Sequence, residues 1–334
     1  MHLGKAYFYQ DMLEETEQAD ALGFHCTWFA EHHFFNYGGH IPSMPVIGAA
    51  AAQRTKRIRI GSGIALLPLQ DPIRVAEEYA MLDCLSGGRL DFGIGRGFQK
   101  AEYDAFERDM ADSRALFEEA HDIILKAWSN ERFSHDGRFR NIRDLQVLPK
   151  PGQQLPPIYV ACIFTPESFE WAGRMGHNLM VVPYAVADSR TLRGNFGIFR
   201  DARMARGITT EPEILAVYHF YCGESAERAK NEPREAMLRY LAAAAESNRE
   251  PAYSQQYQRY GQLKQGFKAM MDYEGTLYPD RVIFGDPGQC VERIRQLRSI
   301  GVTNVALLAN FGGLAHERVM ASIDRFARHV MPHC

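Results

Sequence analysis

Three short stretches of this 334-residue chain gather side chains that can do chemistry. Glu31-His32-His33-Phe34 sets a carboxylate beside two imidazoles, and imidazole takes and gives a proton near neutral pH. Gly93-Ile94-Gly95-Arg96-Gly97 places a guanidinium among glycines. The glycines let backbone pass close to a ligand, and the guanidinium fork suits an anion. Thr165-Pro166-Glu167-Ser168 puts two hydroxyls at a helix start, where exposed N–H groups and the helix dipole accept a phosphate.

Each stretch also has a plainer reading. A histidine at a strand end is often structural, Arg96 can sit in a salt bridge at the rim of a fold, and Thr165 and Ser168 can simply cap a helix. Neighbouring histidines on an extended chain point opposite ways, and the sequence places no third zinc ligand, so no metal is expected. The run at Gly93–Gly97 lacks the third glycine of GxGxxG and is not a dinucleotide fingerprint.

The elements that must position these residues alternate between helical periodicity and short apolar runs, which is the pattern of βα units on a parallel sheet. Strands are expected over Phe24–Ala30, Ile58–Leu67, Leu90–Ile94, Ile158–Cys162, Leu179–Val182, Ile214–Cys222 and Asn304–Ala309. Helices are expected over Met12–Leu22, Pro72–Leu85 (stopped by Gly87-Gly88), from Ser113, from Thr165-Pro166, from Asp286-Pro287 to Ile300, and over Ala315–His329. This order predicts a single (β/α)8 TIM barrel as one domain, in which ligands sit where the strands end, so all three stretches point at one rim. Closure needs one more strand, and the only candidate run is His2–Phe8. A small β excursion over Phe133–Val147 has Asp136-Gly137 as a two-residue turn. The aperiodic stretch Glu250–Asp280 reads as an insertion, either a mobile loop over the active site or a packed surface excursion.

Composition bounds the function. A net charge of −3 gives no basic bias, which argues against nucleic-acid binding. Early apolar runs and long spans are missing from the pattern, so neither a signal peptide nor a membrane helix is expected. The six cysteines are scattered without CxxC spacing and read as reduced thiols of a cytoplasmic protein.

Trp28-Phe29-Ala30-Glu31-His32-His33-Phe34 resembles the signature of the bacterial luciferase-like flavin-dependent monooxygenase family. The order continues through Gly61-Ser62-Gly63, Asp71-Pro72-Ile73-Arg74, Ser86-Gly87-Gly88-Arg89, Phe92–Gly97, Asp112-Ser113-Arg114-Ala115, Gly285-Asp286-Pro287 and His329–Pro332. The resemblance implies reduced FMN supplied by a separate NAD(P)H:flavin reductase, a flavin C4a-hydroperoxide formed with O2, and oxygenation of a small organic substrate. It implies His32 as the catalytic histidine. It assigns Glu31, Gly63 and Ile64 to the cofactor site, with a non-prolyl cis peptide at Gly63-Ile64. Arg96, Arg114, Thr165 and Ser168 fall to the FMN phosphate, and a homodimer is expected. An F420-dependent oxidoreductase on the same barrel and a non-catalytic partner subunit are the alternatives. The reactive cysteine of luciferase proper is Gly95 here, which argues against light emission.

Overall fold

The computed structural model describes residues 7–35, 40–185, 189–247 and 261–334. It opens on helix α1 (Tyr7–Leu22). Two compact units follow from the packing, one over His25–Tyr159 and one combining the chain before it with the described residues from Val160 onward.

In the first unit the strands are β1 (Cys26–Phe29), β2 (Arg59–Ser62), β3 (Ala65–Leu66) and β4 (Leu90–Gly95). Every pairing among them is parallel: β1 with β2, and both β2 and β3 with β4. Helices α2 (Met44–Arg54), α3 (Pro72–Ser86), α4 (Lys100–Ala105) and α5 (Ser113–Ser129) fill the connections. β4 is buried at every residue, as expected of a parallel strand covered on both faces. Phe92 of β4 meets Tyr79 of α3 at 4.7 Å and Trp128 of α5 at 5.1 Å between ring centroids. α3 begins where Asp71 accepts the Ile73 N–H and ends on Gly87 in the left-handed conformation, the stop read from Gly87-Gly88.

Two expectations change in this unit. The single strand over Ile58–Leu67 is two pieces, β2 and β3, interrupted at Gly63-Ile64, whose peptide bond is cis as the resemblance implied. The β excursion exists as β5 (Phe133–Asp136) and β6 (Asn141–Leu145), but its turn is wider than Asp136-Gly137. The Gly137 N–H reaches the Arg140 carbonyl at 3.0 Å. The Glu119 carboxylate of α5 also accepts the N–H groups of Phe139 and Arg140 at 3.1 and 2.8 Å, which satisfies a longer loop.

β7 (Ile158–Cys162) carries the chain into the second unit, where β8 (Asn178–Val181), β9 (Ile214–Cys222), β10 (Ile283–Gly285) and β11 (Asn304–Leu308) follow. β9 pairs in parallel with β8, with β11 along Leu215–His219, and with β10 along Phe220–Cys222. The helices are α6 (Pro166–Met175), α7 (Ser189–Ala205), α8 (Ala226–Asn231), α9 (Arg234–Ser247), α10 (Gly261–Ala269), α11 (Tyr278–Asp280), α12 (Pro287–Ser299) and α13 (His316–His329). α12 starts on a full capping box between Asp286 and Gln289, with Pro287 in the first turn. Phe326 of α13 lies 6.0 Å from Phe24 and 4.9 Å from Phe220, which docks this helix on β9.

Repeated strand-then-helix units with parallel pairing make the fold class that of a (β/α)8 barrel. The strand expected over His2–Phe8 does not extend to Tyr7 and Phe8, which are helical because the helix-forming run of α1 continues back through them; residues 2–6 lie outside the described residues. Of the Glu250–Asp280 stretch, 250–260 lie outside the described residues, and α10, a π-helical turn (Tyr273–Leu277) and α11 follow. Among the described residues, no helix is long and apolar enough to cross a membrane.

Candidate active site

β1 ends at Phe29, and two residues later the chain turns Glu31 into the protein, only 2% exposed. A carboxylate in that position needs partners. Gln70 donates to it at 2.5 Å, and His33 Nε2 lies 3.7 Å away. The same charge, after burial itself, holds the phenol of fully buried Tyr79 well above its usual pKa. The His33 ring is enclosed further by Phe106 and Phe34, at 4.9 and 5.6 Å between centroids.

His32 goes to a different carboxylate. Its Nδ1 stands 3.4 Å from Glu102 Oε1, and its ring meets the edge of Phe98 at 6.2 Å. The same Glu102 oxygen accepts the His33 backbone N–H at 2.9 Å. Glu102 on α4 is completely buried, while its second oxygen, Oε2, has no hydrogen-bond partner among the described residues. One acid therefore hydrogen-bonds the backbone of His33 and lies within ion-pair distance of the ring of His32. The expectation that His32 and His33 diverge is met: each faces its own buried carboxylate.

Glu102 was not among the residues singled out from the sequence. Its signal was present: Phe98, Glu102 and Phe106 are spaced four apart, so a carboxylate shares a helical stripe with two phenylalanines. Helix α4, only six residues long, was not anticipated, and without it the stripe has no meaning.

Arg96 follows β4 directly, and its carbonyl accepts the Tyr103 hydroxyl at 2.5 Å, which ties this turn to α4. Gly97 has φ +72°, a conformation a side chain disfavours, so the turn after Arg96 requires glycine. Arg114 lies in the first turn of α5 and is paired with Glu118 at 3.7 Å, both about two-fifths exposed. Such a pair is weak and easily exchanged for a stronger anion. Gly63 and Ile64 join β2 to β3, beside Phe29: the Gly63 N–H bonds the Phe29 carbonyl at 2.8 Å.

In the second unit, Thr165 occupies the cap position of α6 with Pro166 next, as the sequence suggested. The plain capping role is not what its side chain performs, because Thr165 accepts no capping hydrogen bond from the helix. Its hydroxyl bonds that of Ser168 instead, at 2.7 Å. Two hydroxyls meeting at an uncapped helix start leave the positive end of the dipole for an incoming anion.

The described residues also bring Asp11, Glu14 and His316 together, with ligand-capable atoms within 4.8 Å of one another. His316 pairs there with Glu14 and Glu15, both at 3.3 Å, strapping α1 to α13.

Comparison with known proteins gives a consistent result. The family model described as luciferase-like monooxygenase matches residues 3–304. The flavin-dependent trigonelline monooxygenase, oxygenase component, of Acinetobacter baylyi is 29% identical, the match covering 97% of this chain and 89% of that protein. The solved structure of the monooxygenase RslO1 from Streptomyces bottropensis superposes with a TM-score of 0.86 at 31% identity, covering 97% of this chain and 93% of that one. The oxygenating constituent of 3,6-diketocamphane monooxygenase from Pseudomonas putida, solved in complex with FMN, shares the fold with a TM-score of 0.81 at 21% identity, over 100% of this chain and 95% of that one.

Proposed function

This chain belongs to the luciferase-like monooxygenase family, and from that premise we propose that it is the oxygenase of a two-component system. In this reading it takes reduced FMN from a separate reductase and uses O2 to oxygenate a small organic substrate. The relative named as an oxygenase component, matched along nearly the whole chain, supports the division of labour.

The observation that carries the reading is the buried Glu102 carboxylate held against His32 and His33 just beyond β1. A fully buried acid that bonds one backbone N–H and faces the neighbouring imidazole costs stability, and it sets an acid beside a base at the end of a barrel strand. The residues also fit a phosphate-bearing flavin. Arg96 and Arg114 supply guanidinium groups, and Thr165 and Ser168 supply hydroxyls at an uncapped helix start.

When bound, the flavin supplies the electrons and the reaction with oxygen. The chain's own residues do the rest. His32, whose Nδ1 lies 3.4 Å from Glu102, is the ring that holds or moves a proton in this reading. Glu102 sets the orientation of that ring. Glu31, bound by Gln70 and facing His33, fixes the backbone from which His32 projects. Gly63 and Ile64 line the ring of the cofactor, an assignment supported by the resemblance, as is the use of Thr165 and Ser168 for the same phosphate as the arginines.

Equilibrium binding of FMN, riboflavin and the deazaflavin F420 tests the reading. FMN should bind tightest and riboflavin more weakly. A preference for F420 over FMN would replace the proposal with an F420-dependent oxidoreductase. A cytoplasmic homodimer is proposed from the resemblance, and light scattering that shows only monomer at micromolar concentration would remove the dimer.

A further inference from the structure

Asp11, Glu14 and Glu15 share one stripe of α1, and they meet His316 in the first turn of α13. The Glu15 side chain is 11% exposed, and its two oxygens accept from the Asn310 amide at 2.9 and 3.2 Å. Glu15 Oε1 also stands 3.3 Å from His316 Nδ1. On the other side of the ring, Nε2 stands 3.3 Å from Glu14 Oε2, while Glu14 Oε1 accepts from Gln10 at 2.8 Å. The ligand-capable atoms of Asp11, Glu14 and His316 all lie within 4.8 Å of one another.

The two nitrogens of the ring are in different situations. The amide nitrogen of Asn310 only donates, so Glu15 accepts at both oxygens and His316 Nδ1 is the donor toward it. The neutral ring then presents the bare lone pair of Nε2 to Glu14 Oε2. Among the described residues, the ring's one hydrogen bond is at Nδ1, and none joins Nε2 to Glu14. Two lone-pair atoms held 3.3 Å apart call for a cation between them. A proton serves there only through a hydrogen bond, which this geometry lacks.

A metal ion fits the same spacing. With bonds of about 2.0–2.1 Å, neighbouring ligand atoms of a tetrahedral zinc ion lie about 3.3–3.4 Å apart, which is the separation of Nε2 and Oε2. A ligating histidine usually has its other nitrogen hydrogen-bonded to a carboxylate, and Glu15 sits there, itself held by Asn310. An imidazole beside carboxylates favours zinc over magnesium, which prefers an all-oxygen octahedron. The three groups are partly exposed, so water can complete the coordination.

We propose that Asp11, Glu14 and His316 bind a divalent transition-metal ion of the zinc class, through His316 Nε2 and one oxygen of each carboxylate, and that the ion clamps α1 to α13. Glu15 is a positioning residue, which orients the imidazole without touching the ion. The proposal does not rest on the oxygenase reading, and the binding it asserts does not require flavin.

The test uses the full-length protein, cleared of metal with a chelator and free of flavin, with zinc chloride and magnesium chloride as probes. Equilibrium dialysis should show saturable zinc binding that magnesium at the same concentration does not match, and zinc should raise the midpoint of thermal unfolding. Asp11→Asn and His316→Gln each remove a ligand and should weaken zinc by about a hundredfold or more. Glu15→Gln, behind the imidazole, should weaken it by about ten- to a hundredfold. Glu317→Gln removes an exposed acid next to His316 and should leave zinc affinity within about threefold. Asp11 makes no side-chain hydrogen bond among the described residues, so Asp11→Asn keeps the test readable if His316→Gln fails to fold. Absence of saturable zinc binding, equal filling by magnesium, binding left unchanged by Asp11→Asn or by a folded His316→Gln, or a loss in Glu317→Gln as large as in Asp11→Asn would each overturn the proposal.

Discussion

Replacing Glu102 by Gln keeps the size of the side chain and removes its charge, which isolates what the buried carboxylate does for His32. The hydrogen bond from the His33 N–H, 2.9 Å long, changes from charge-assisted to neutral, a loss of about 1 kcal/mol. The larger effect is on the ring at 3.4 Å. With an effective dielectric of about 20, a charged imidazole at that distance would interact with the carboxylate by about 5 kcal/mol, which is a ceiling. His32 is 19% exposed and the contact is longer than a close hydrogen bond, so a third to a half of that ceiling is a fair expectation, about 1.5–2.5 kcal/mol. This corresponds to about a ten- to hundredfold change in a rate that depends on His32. The assay mixes protein loaded with reduced FMN and oxygenated buffer in a stopped-flow instrument and times the return of the oxidised flavin spectrum. With that charge gone from beside the ring, Glu102→Gln should shorten that lifetime by about ten- to a hundredfold, with FMN affinity changed less than about threefold. Glu102→Asp, which keeps the charge at shorter reach, should recover part of the lifetime. An unchanged lifetime in Glu102→Gln would refute the positioning role, and so would a lifetime that falls only in proportion to lost FMN binding.

Arg96→Ala should weaken FMN by about ten- to a hundredfold and leave riboflavin nearly unaffected, because only FMN has the phosphate; equal losses in parallel titrations would end the phosphate assignment. His33→Ala should lower stability by about 2–4 kcal/mol in urea unfolding, since it empties a niche between Glu31, Phe34 and Phe106, while the flavin lifetime changes little; a shortened lifetime with intact stability would reverse the roles of the two histidines. Burial lowers the pKa of His121 to about 4, so between about pH 6.5 and 4 the unfolded chain binds a proton that the native protein refuses. Stability contributed by the neutral ring is thus present above about pH 6.5 and falls by about 3 kcal/mol as the pH drops to 4. His121→Gln should flatten this part of the stability–pH curve, and identical slopes would contradict the assignment. Gly61→Ala should destabilise by about 1–3 kcal/mol or more, because a Cβ there runs into the Trp28 indole that also packs on Tyr159; a neutral result would mean that Trp28 can move aside.

Much of the site was legible in the sequence because it follows strands whose apolar runs are unambiguous. Cys26–Phe29 and Leu90–Gly95 end within one residue of the expected Ala30 and Ile94, so Glu31, His32 and Arg96 fall just beyond them. The cis bond at Gly63-Ile64 came from resemblance alone, because no periodicity reports the geometry of a peptide bond. What escaped notice depended on short elements. Ile283–Gly285 is too brief to show alternation, and it exists because β9 extends past its pairing with β11. Glu102 became meaningful only once Lys100–Ala105 proved helical and turned it inward. The Thr165 hydroxyl read as a cap because that is the usual fate of threonine before a helical proline, whereas in the folded chain it bonds Ser168. The cluster of Asp11, Glu14 and His316 was unremarked because its residues come from α1 and α13, and no local spacing joins them.

The most direct test of the central claim is to load the protein with photoreduced FMN, mix it with air-saturated buffer and follow the flavin spectrum in the wild type and in His32→Ala. The proposed chemistry predicts that the wild type delays the oxidised spectrum, passing through an absorbing state distinct from both reduced and oxidised FMN. His32→Ala should shorten that delay by about 10²–10⁴-fold at nearly unchanged FMN affinity. Reoxidation in the wild type at the rate of free reduced FMN, without such a state, would contradict an oxygenase built around His32.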